Sequence, residues 1–200
     1  PTELSGDMVW VAGLADNGSI DGYSGATALG IAALEGMNGI NSNFSWGQTF
    51  FGQIPGSIGE TSTFLILLAG AYMVYTKIAS WRIIFGTLAG MIVMSSALNL
   101  IGSETNPMFA IPWYWHLTIG SFAFGLVYMA TEPVSAANTN MGRWIYGISI
   151  GVIVVLIRVI NPAFPEGMML AILFANLLAP AIDFTITSLN TSRRMERYNS

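Results

Sequence analysis

Five apolar runs, at residues 57–76, 81–101, 113–131, 142–160 and 168–188, leave this chain few ways to fold. Each is near the ~20 residues that an α-helix needs to cross the hydrocarbon core of a bilayer. Backbone groups in lipid have no water to bond, so each run must satisfy its own N–H and C=O groups, and a helix does so. Only 9% of residues are charged and 53% are hydrophobic, whereas a soluble domain carries about 25% charged residues. The expected fold class is therefore all-α. A five-span transmembrane helix bundle with a short tail occupies 57–200, preceded over 1–56 by an external or re-entrant segment with a short helix at 25–34.

Breakers and charges collect between the runs, at 77–80, 102–112, 132–141 and 161–167. Ahead of them, residues 38–47 read as a polar loop, and the aromatics of Trp46 to Phe51 suggest a segment lying in the interface. Pro55, Gly56 and Gly59 predict irregular backbone before the first span, tolerated at membrane depth only where protein or water lines it. Opening on Pro1, the sequence reads as the carboxy-terminal part of a longer protein.

An odd number of spans places the two ends on opposite sides. Six of the seven basic residues, Lys77, Arg82, Arg143, Arg193, Arg194 and Arg197, then fall on one face, which the positive-inside rule assigns to the cytoplasm. Residues 21–27, Glu60 and Glu104 belong to the external face. Arg158, near the external end of the fourth span, must snorkel, pair with a carboxylate such as Glu166, or hold an anionic ligand, and pairing is the favoured reading.

The chain has no cysteine and one histidine, His116, which excludes disulfides, iron–sulfur ligation by these residues and a self-contained histidine metal cluster. Redox chemistry here needs an organic cofactor or partner subunits. A net charge of −4 gives no footprint for nucleic acid.

Acidic groups at or within apolar runs are costly and point to cation or proton handling. Glu60, Glu132 and Asp183 are the candidates, each with the alternative of a solvated or helix-capping carboxylate. The run Pro112 to His116 reads as an aromatic belt rather than a cofactor sandwich. Gly120, Gly125, Gly147 and Gly151 permit close helix approach, and Met168 and Met169 fill gaps. At the amino-terminal side, Asp21, Ser24, Gly25, Ala26 and Thr27 open the apolar stretch that follows. Ser24 and Thr27 suit either a plain helix cap or the anchoring of a phosphorylated cofactor in the field of a helix N-terminus.

These residues carry a resemblance. Asp21-x-x-Ser24-Gly25-Ala26-Thr27 is similar to the flavinylation motif Asp-x-x-(Ser/Thr)-Gly-Ala-(Thr/Ser), on whose last hydroxyl a flavin transferase builds a phosphoester to FMN. Nearly the whole chain resembles the carboxy-terminal half of the B-subunit family of sodium-translocating NADH:quinone reductases. The matching stretches are Gly56 to Ser62, Pro112 to Leu117, Met129 to Ala136 and Asn161 to Ala171. The resemblance implies a translocase of the bacterial inner membrane with covalent FMN on an externally placed Thr27 and the carboxy terminus in the cytoplasm. It also implies riboflavin as a further cofactor, ubiquinone as acceptor, and assembly with the A, C, D, E and F subunits. Glu60, Glu132 and Asp183 stand at positions of its sodium path, with Glu132 replacing an expected Asp. The quinone site belongs largely to the amino-terminal half, outside this sequence. The homologous D subunit of Rnf-type electron-transport complexes (ferredoxin:NAD) shares the motif and stays open as an alternative, as do a flavin-free channel or transporter built from inverted repeats and a purely structural scaffold.

Overall fold

The structure, a computed structural model, describes residues 28–57, 59–103, 105–161 and 166–199. Every regular element among them is helical, as expected for a multi-pass bundle. Helix α1 (Ala28–Asn43) bends at Gly36, whose φ of 63° lies in the left-handed region. A Cβ there would stand 2.6 Å from Cβ of Pro107, so backbone and neighbour both require glycine. The expected loop at 38–47 is thus mostly helix. Asn43 Nδ2 and Ser42 Oγ donate to the Gly39 carbonyl at 2.8 and 3.0 Å, so the polar side chains serve the helix end instead of breaking it.

Helix α2 (Trp46–Phe51) follows from a capping box, with Ser45 and Gln48 serving each other's backbone N–H. It ends on Gly52 in the left-handed conformation, and it lies against α3 and α5. Trp46 Nε1 donates to the Tyr114 carbonyl at 3.3 Å. Helix α3 (Thr63–Tyr75) is capped by Ser62. Its 13 residues reach about 20 Å, short of the ~30 Å hydrocarbon core, because residues 59–62 form a turn rather than the first turns of the helix.

Among the described residues, three helices are long and apolar enough to cross a membrane: α4 (Trp81–Ile101), α7 (Asn140–Ile160) and α8 (Met168–Asn199), the last carrying Pro180 in its interior. Between α4 and α7, a 3₁₀ turn (Pro107–Ala110) leads to the third predicted run, which is discontinuous. It forms α5 (Trp113–Thr118), then α6 (Phe122–Phe124), which passes directly into a π-helical turn (Gly125–Met129).

Helices α4 and α7 run parallel and make the closest contact in the bundle. Gly86 and Gly90 on α4 face Gly147 and Ile148 on α7, while Gly147 and Gly151 press on the backbone of Ile83 and Thr87. Each helix thus offers two glycines one turn apart, which lets the backbones meet with no side chain between. Helix α8 returns antiparallel along α7. Asp183 bonds to Thr139, and two turns away the Tyr146 hydroxyl donates to Asn176 Oδ1 at 2.5 Å. This arrangement gathers Lys77, Arg82, Arg143 and the arginine tail at one end of the bundle. Helix α1 packs at the other, on the 3₁₀ turn. Met168 is fully buried on Gly125, while Met169 is half exposed. Leu65, Leu68, Leu173 and Leu177 are exposed on α3 and α8, as expected of helix faces that meet lipid.

A Cβ at Gly151 would meet the Thr87 carbonyl well inside contact distance. Gly151→Ala should therefore destabilise the protein by about 1–3 kcal/mol in thermal unfolding of detergent-solubilised material. Gly47→Ala, where nothing lies within 4 Å, should change stability by less than ~1 kcal/mol.

Candidate functional site

The break in the third run organises the buried polar chemistry. After α5 the chain turns extended at Ile119 (φ −100°, ψ 138°) and left-handed at Gly120 (φ 70°), and helix resumes at Phe122. Such a break strips carbonyls and N–H groups of helical partners, each costing several kcal/mol in an apolar surround. Arg158 and Glu166 supply the replacements. The Arg158 guanidinium, with no exposed surface, donates to the carbonyls of His116 at 2.8 Å, Ile119 at 3.1 Å and Glu166 at 3.4 Å. Its charge lies 5.8 Å from the centre of the Phe122 ring, and Nη1 is 3.5 Å from His116 Nδ1. On the far side of the break, Glu166 Oε2 accepts the Ser121 N–H at 3.0 Å and the Ser121 hydroxyl at 2.8 Å.

Arg158 therefore neither snorkels nor forms the expected direct pair with the Glu166 carboxylate. The carboxylate is taken by Ser121, and it acts on the guanidinium only through space. The aromatic belt divides likewise. Trp113 and Tyr114 are exposed, whereas Trp115 and His116 are buried, with His116 facing Arg158.

Helix α1 reaches this cluster. Its first residues, Ala28 and Leu29, are buried, and a Cβ on Gly120 would meet Leu29 Cδ2 at 2.7 Å, Glu166 Oε2 at 2.8 Å and Arg158 Nη2 at 3.1 Å. Asp21, Ser24, Gly25, Ala26 and Thr27, the predicted flavin residues, lie outside the described residues.

The three acids do not converge, and no group of three potential ligands stands together among the described residues. Partly exposed Glu60 sits in the turn before α3, at the α1 end of the bundle. Glu132, at the basic end, accepts the Ser135 hydroxyl at 2.6 Å and the N–H groups of Ser135 and Val134 at 2.8 and 3.0 Å. The Ser135 hydroxyl, and then the two N–H groups, hold its carboxyl below the usual carboxylate range. Asp183 accepts the N–H of Asn138 at 2.6 Å, the N–H of Thr139 at 3.0 Å and the Thr139 hydroxyl at 2.6 Å. From α8 it thereby ties down the residues that start α7. The sequence signal for that cap was Asn138-Thr139 at the head of an apolar run. Ser121 carried no comparable signal.

Residues 1–191 match the sequence profile of the NQR2, RnfD, RnfE family. The chain belongs to this family. Among curated relatives, it is 59% identical over 198 residues to the B subunit of the Na(+)-translocating NADH-quinone reductase of Azotobacter vinelandii, an alignment covering 98% of the chain and 47% of the relative. The corresponding protein of Neisseria meningitidis serogroup A is 55% identical over 204 residues, covering 100% of the chain and 48% of the relative. That of Pseudomonas aeruginosa is 54% identical over 198 residues, covering 98% and 47%. The chain spans about half the length of the relatives it matches.

Arg158→Met should unfold this region of the family fold. With three carbonyls left bare, we expect a loss of about 3–5 kcal/mol, read as a lowered Tm in detergent, and Arg158→Lys should restore only part of it because one ammonium cannot span the same fork. Glu132 makes stability depend on pH. Its folded carboxyl ionises below the ordinary value of 4.5, so it stabilises the fold above that value and loses the contribution as pH falls through the folded one. Glu132→Gln should lower Tm at neutral pH, and the two Tm curves should converge as the sample is acidified.

Proposed function

We propose that this chain is the carboxy-terminal part of the B subunit of a sodium-translocating NADH:quinone reductase, an electron-transferring membrane protein with FMN esterified to Thr27. One observation carries the reading. Asp21-x-x-Ser24-Gly25-Ala26-Thr27 directly precedes α1, in a chain 54–59% identical to relatives bearing that name. When bound, FMN supplies one- and two-electron redox chemistry that none of the side chains here can perform. Thr27 Oγ would hold its phosphate beside the N-terminus of a 16-residue helix, where the macrodipole favours negative charge. The buried contacts of Ala28 and Leu29 hold this end of the described helix against the bundle, and the Arg158 cluster fixes the backbone against which Leu29 rests.

In this reading riboflavin is a second cofactor and ubiquinone the acceptor. The A, C, D, E and F subunits complete the assembly in the bacterial inner membrane, and a flavin transferase installs the FMN. The bunching of six basic residues at one end supports a cytoplasmic carboxy terminus with Thr27 on the external side. Glu60, Glu132 and Asp183 are the acids proposed for the sodium path. An ion passing Glu132 or Asp183 has to displace N–H donors that already satisfy the carboxylate. Moving one sodium ion against ~150 mV costs roughly 3.5 kcal/mol. A one-electron drop of a few hundred millivolts, at about 59 mV per factor of ten, covers that cost.

The second reading is the D subunit of an Rnf-type complex, because the matching family includes such proteins. The discontinuous third run is also what a flavin-free transporter with broken helices would have.

Denaturing gels of the full-length protein expressed with its flavin transferase test for the flavin. In-gel flavin fluorescence should be present in the wild type and in Thr27→Ser and absent in Thr27→Ala. Mass spectrometry of the peptide containing residue 27 should show an added FMN. Fluorescence retained in Thr27→Ala would refute the assignment.

A further inference from the structure

A second site lies at the opposite end of the bundle from α1. A cavity of about 540 Å³ opens where α3 hands over to α4, beside the loop that leads into α7. Lys77, Arg82 and Arg143 line it, and none of them forms an ion pair with a described residue. Arg82 lies over the Trp81 ring at 4.8 Å, and Arg143 spends its Nε–H on the Ala137 carbonyl at 3.2 Å, leaving the Nη groups. Glu132 sits between lining residues Thr131 and Pro133 but turns its oxygens to Val134 and Ser135 and forms no ion pair with the three cations. Asp183, within electrostatic reach of Arg143, is likewise occupied by Asn138 and Thr139.

One local anomaly lies in the wall of the same space. Ser80, the N-cap of α4, makes no cap bond, and its buried hydroxyl has no partner at all. Lys77, with φ of 61°, is the left-handed residue that closes the end of α3, where its N–H donates to the Val74 carbonyl at 3.0 Å and the Ile78 N–H donates to the Met73 carbonyl at 3.0 Å.

Cations, an unspent hydroxyl and the N-terminus of a 21-residue helix together make an anion site. Its surroundings choose the anion. Tyr75, Ile78 and Trp81 line the cavity mouth and are exposed, and Tyr72 and Phe85 continue an exposed apolar face from it along α3 and α4. A ligand with an anionic head and hydrocarbon chains satisfies both parts, whereas a free anion leaves the apolar face uncovered. We propose that this cavity binds the phosphodiester headgroup of an anionic phospholipid, with Lys77, Arg82 and Ser80 as its direct donors and Arg143 closing the inner wall.

The test uses the full-length protein in its native assembly, delipidated in a neutral detergent and titrated with phosphatidylglycerol, phosphatidylcholine or inorganic phosphate. Thermal unfolding and native mass spectrometry are the readouts. Phosphatidylglycerol should raise Tm saturably and stay bound, and the other two should not. Arg82→Gln and Lys77→Gly should each weaken the apparent affinity on the order of tenfold, as expected when one basic contact at a membrane surface is removed. Lys77→Gly separates binding from folding, since glycine relieves the left-handed backbone and should hold or raise Tm in the absence of lipid. Equal stabilisation by phosphatidylcholine, or unaltered phosphatidylglycerol affinity in both variants, would overturn the proposal. A response to inorganic phosphate equal to that of phosphatidylglycerol would overturn it too, by reassigning the cavity to a free anion.

Discussion

A guanidinium sealed among main-chain carbonyls holds this bundle in its broken form. The third apolar run departs from helix at Ile119 and Gly120, and without Arg158 the exposed carbonyls of His116 and Ile119 would face hydrocarbon or packed side chains. One side chain from α7 reaches both of them and a third, that of Glu166. Because Glu166 also holds Ser121, 45 residues before it, two stretches distant in sequence meet around one charge. Leu29 lies against the same glycine, so the position of α1 depends on an arginine more than a hundred residues away.

Much of this was visible in the sequence as anomaly and little of it as solution. The apolar runs at 81–101 and 142–160 announce their helices because length and hydropathy suffice for a membrane span. Gly147 and Gly151 announce a close approach, but small residues do not say which helix they meet, and Gly86 and Gly90 were found only by their contacts. Arg158 stands out among apolar neighbours, yet its partners are carbonyls, which every residue possesses and no pattern marks. A lone glycine in an apolar run is ordinary in membrane helices, so the break at Gly120 left no trace. The polar stretch at 38–43 misled in the other direction, since Ser42 and Asn43 bond to the preceding turn and keep it helical.

The acids carry a similar lesson about chemistry. Position alone marked Glu132 and Asp183 as cation ligands, and geometry finds each of them facing N–H and O–H donors. A carboxylate in that state is a local anchor first. Any part it takes in moving an ion has to include the release of the residues it anchors, Val134 and Ser135 in one case and Asn138 and Thr139 in the other.

The two rungs that join α7 to α8, Thr139 with Asp183 and Tyr146 with Asn176, are spaced seven residues apart on both helices. Equal spacing locks the pair in register like two bolts through parallel rails. A shift of one helical turn misaligns both rungs together, so it costs both hydrogen bonds at once.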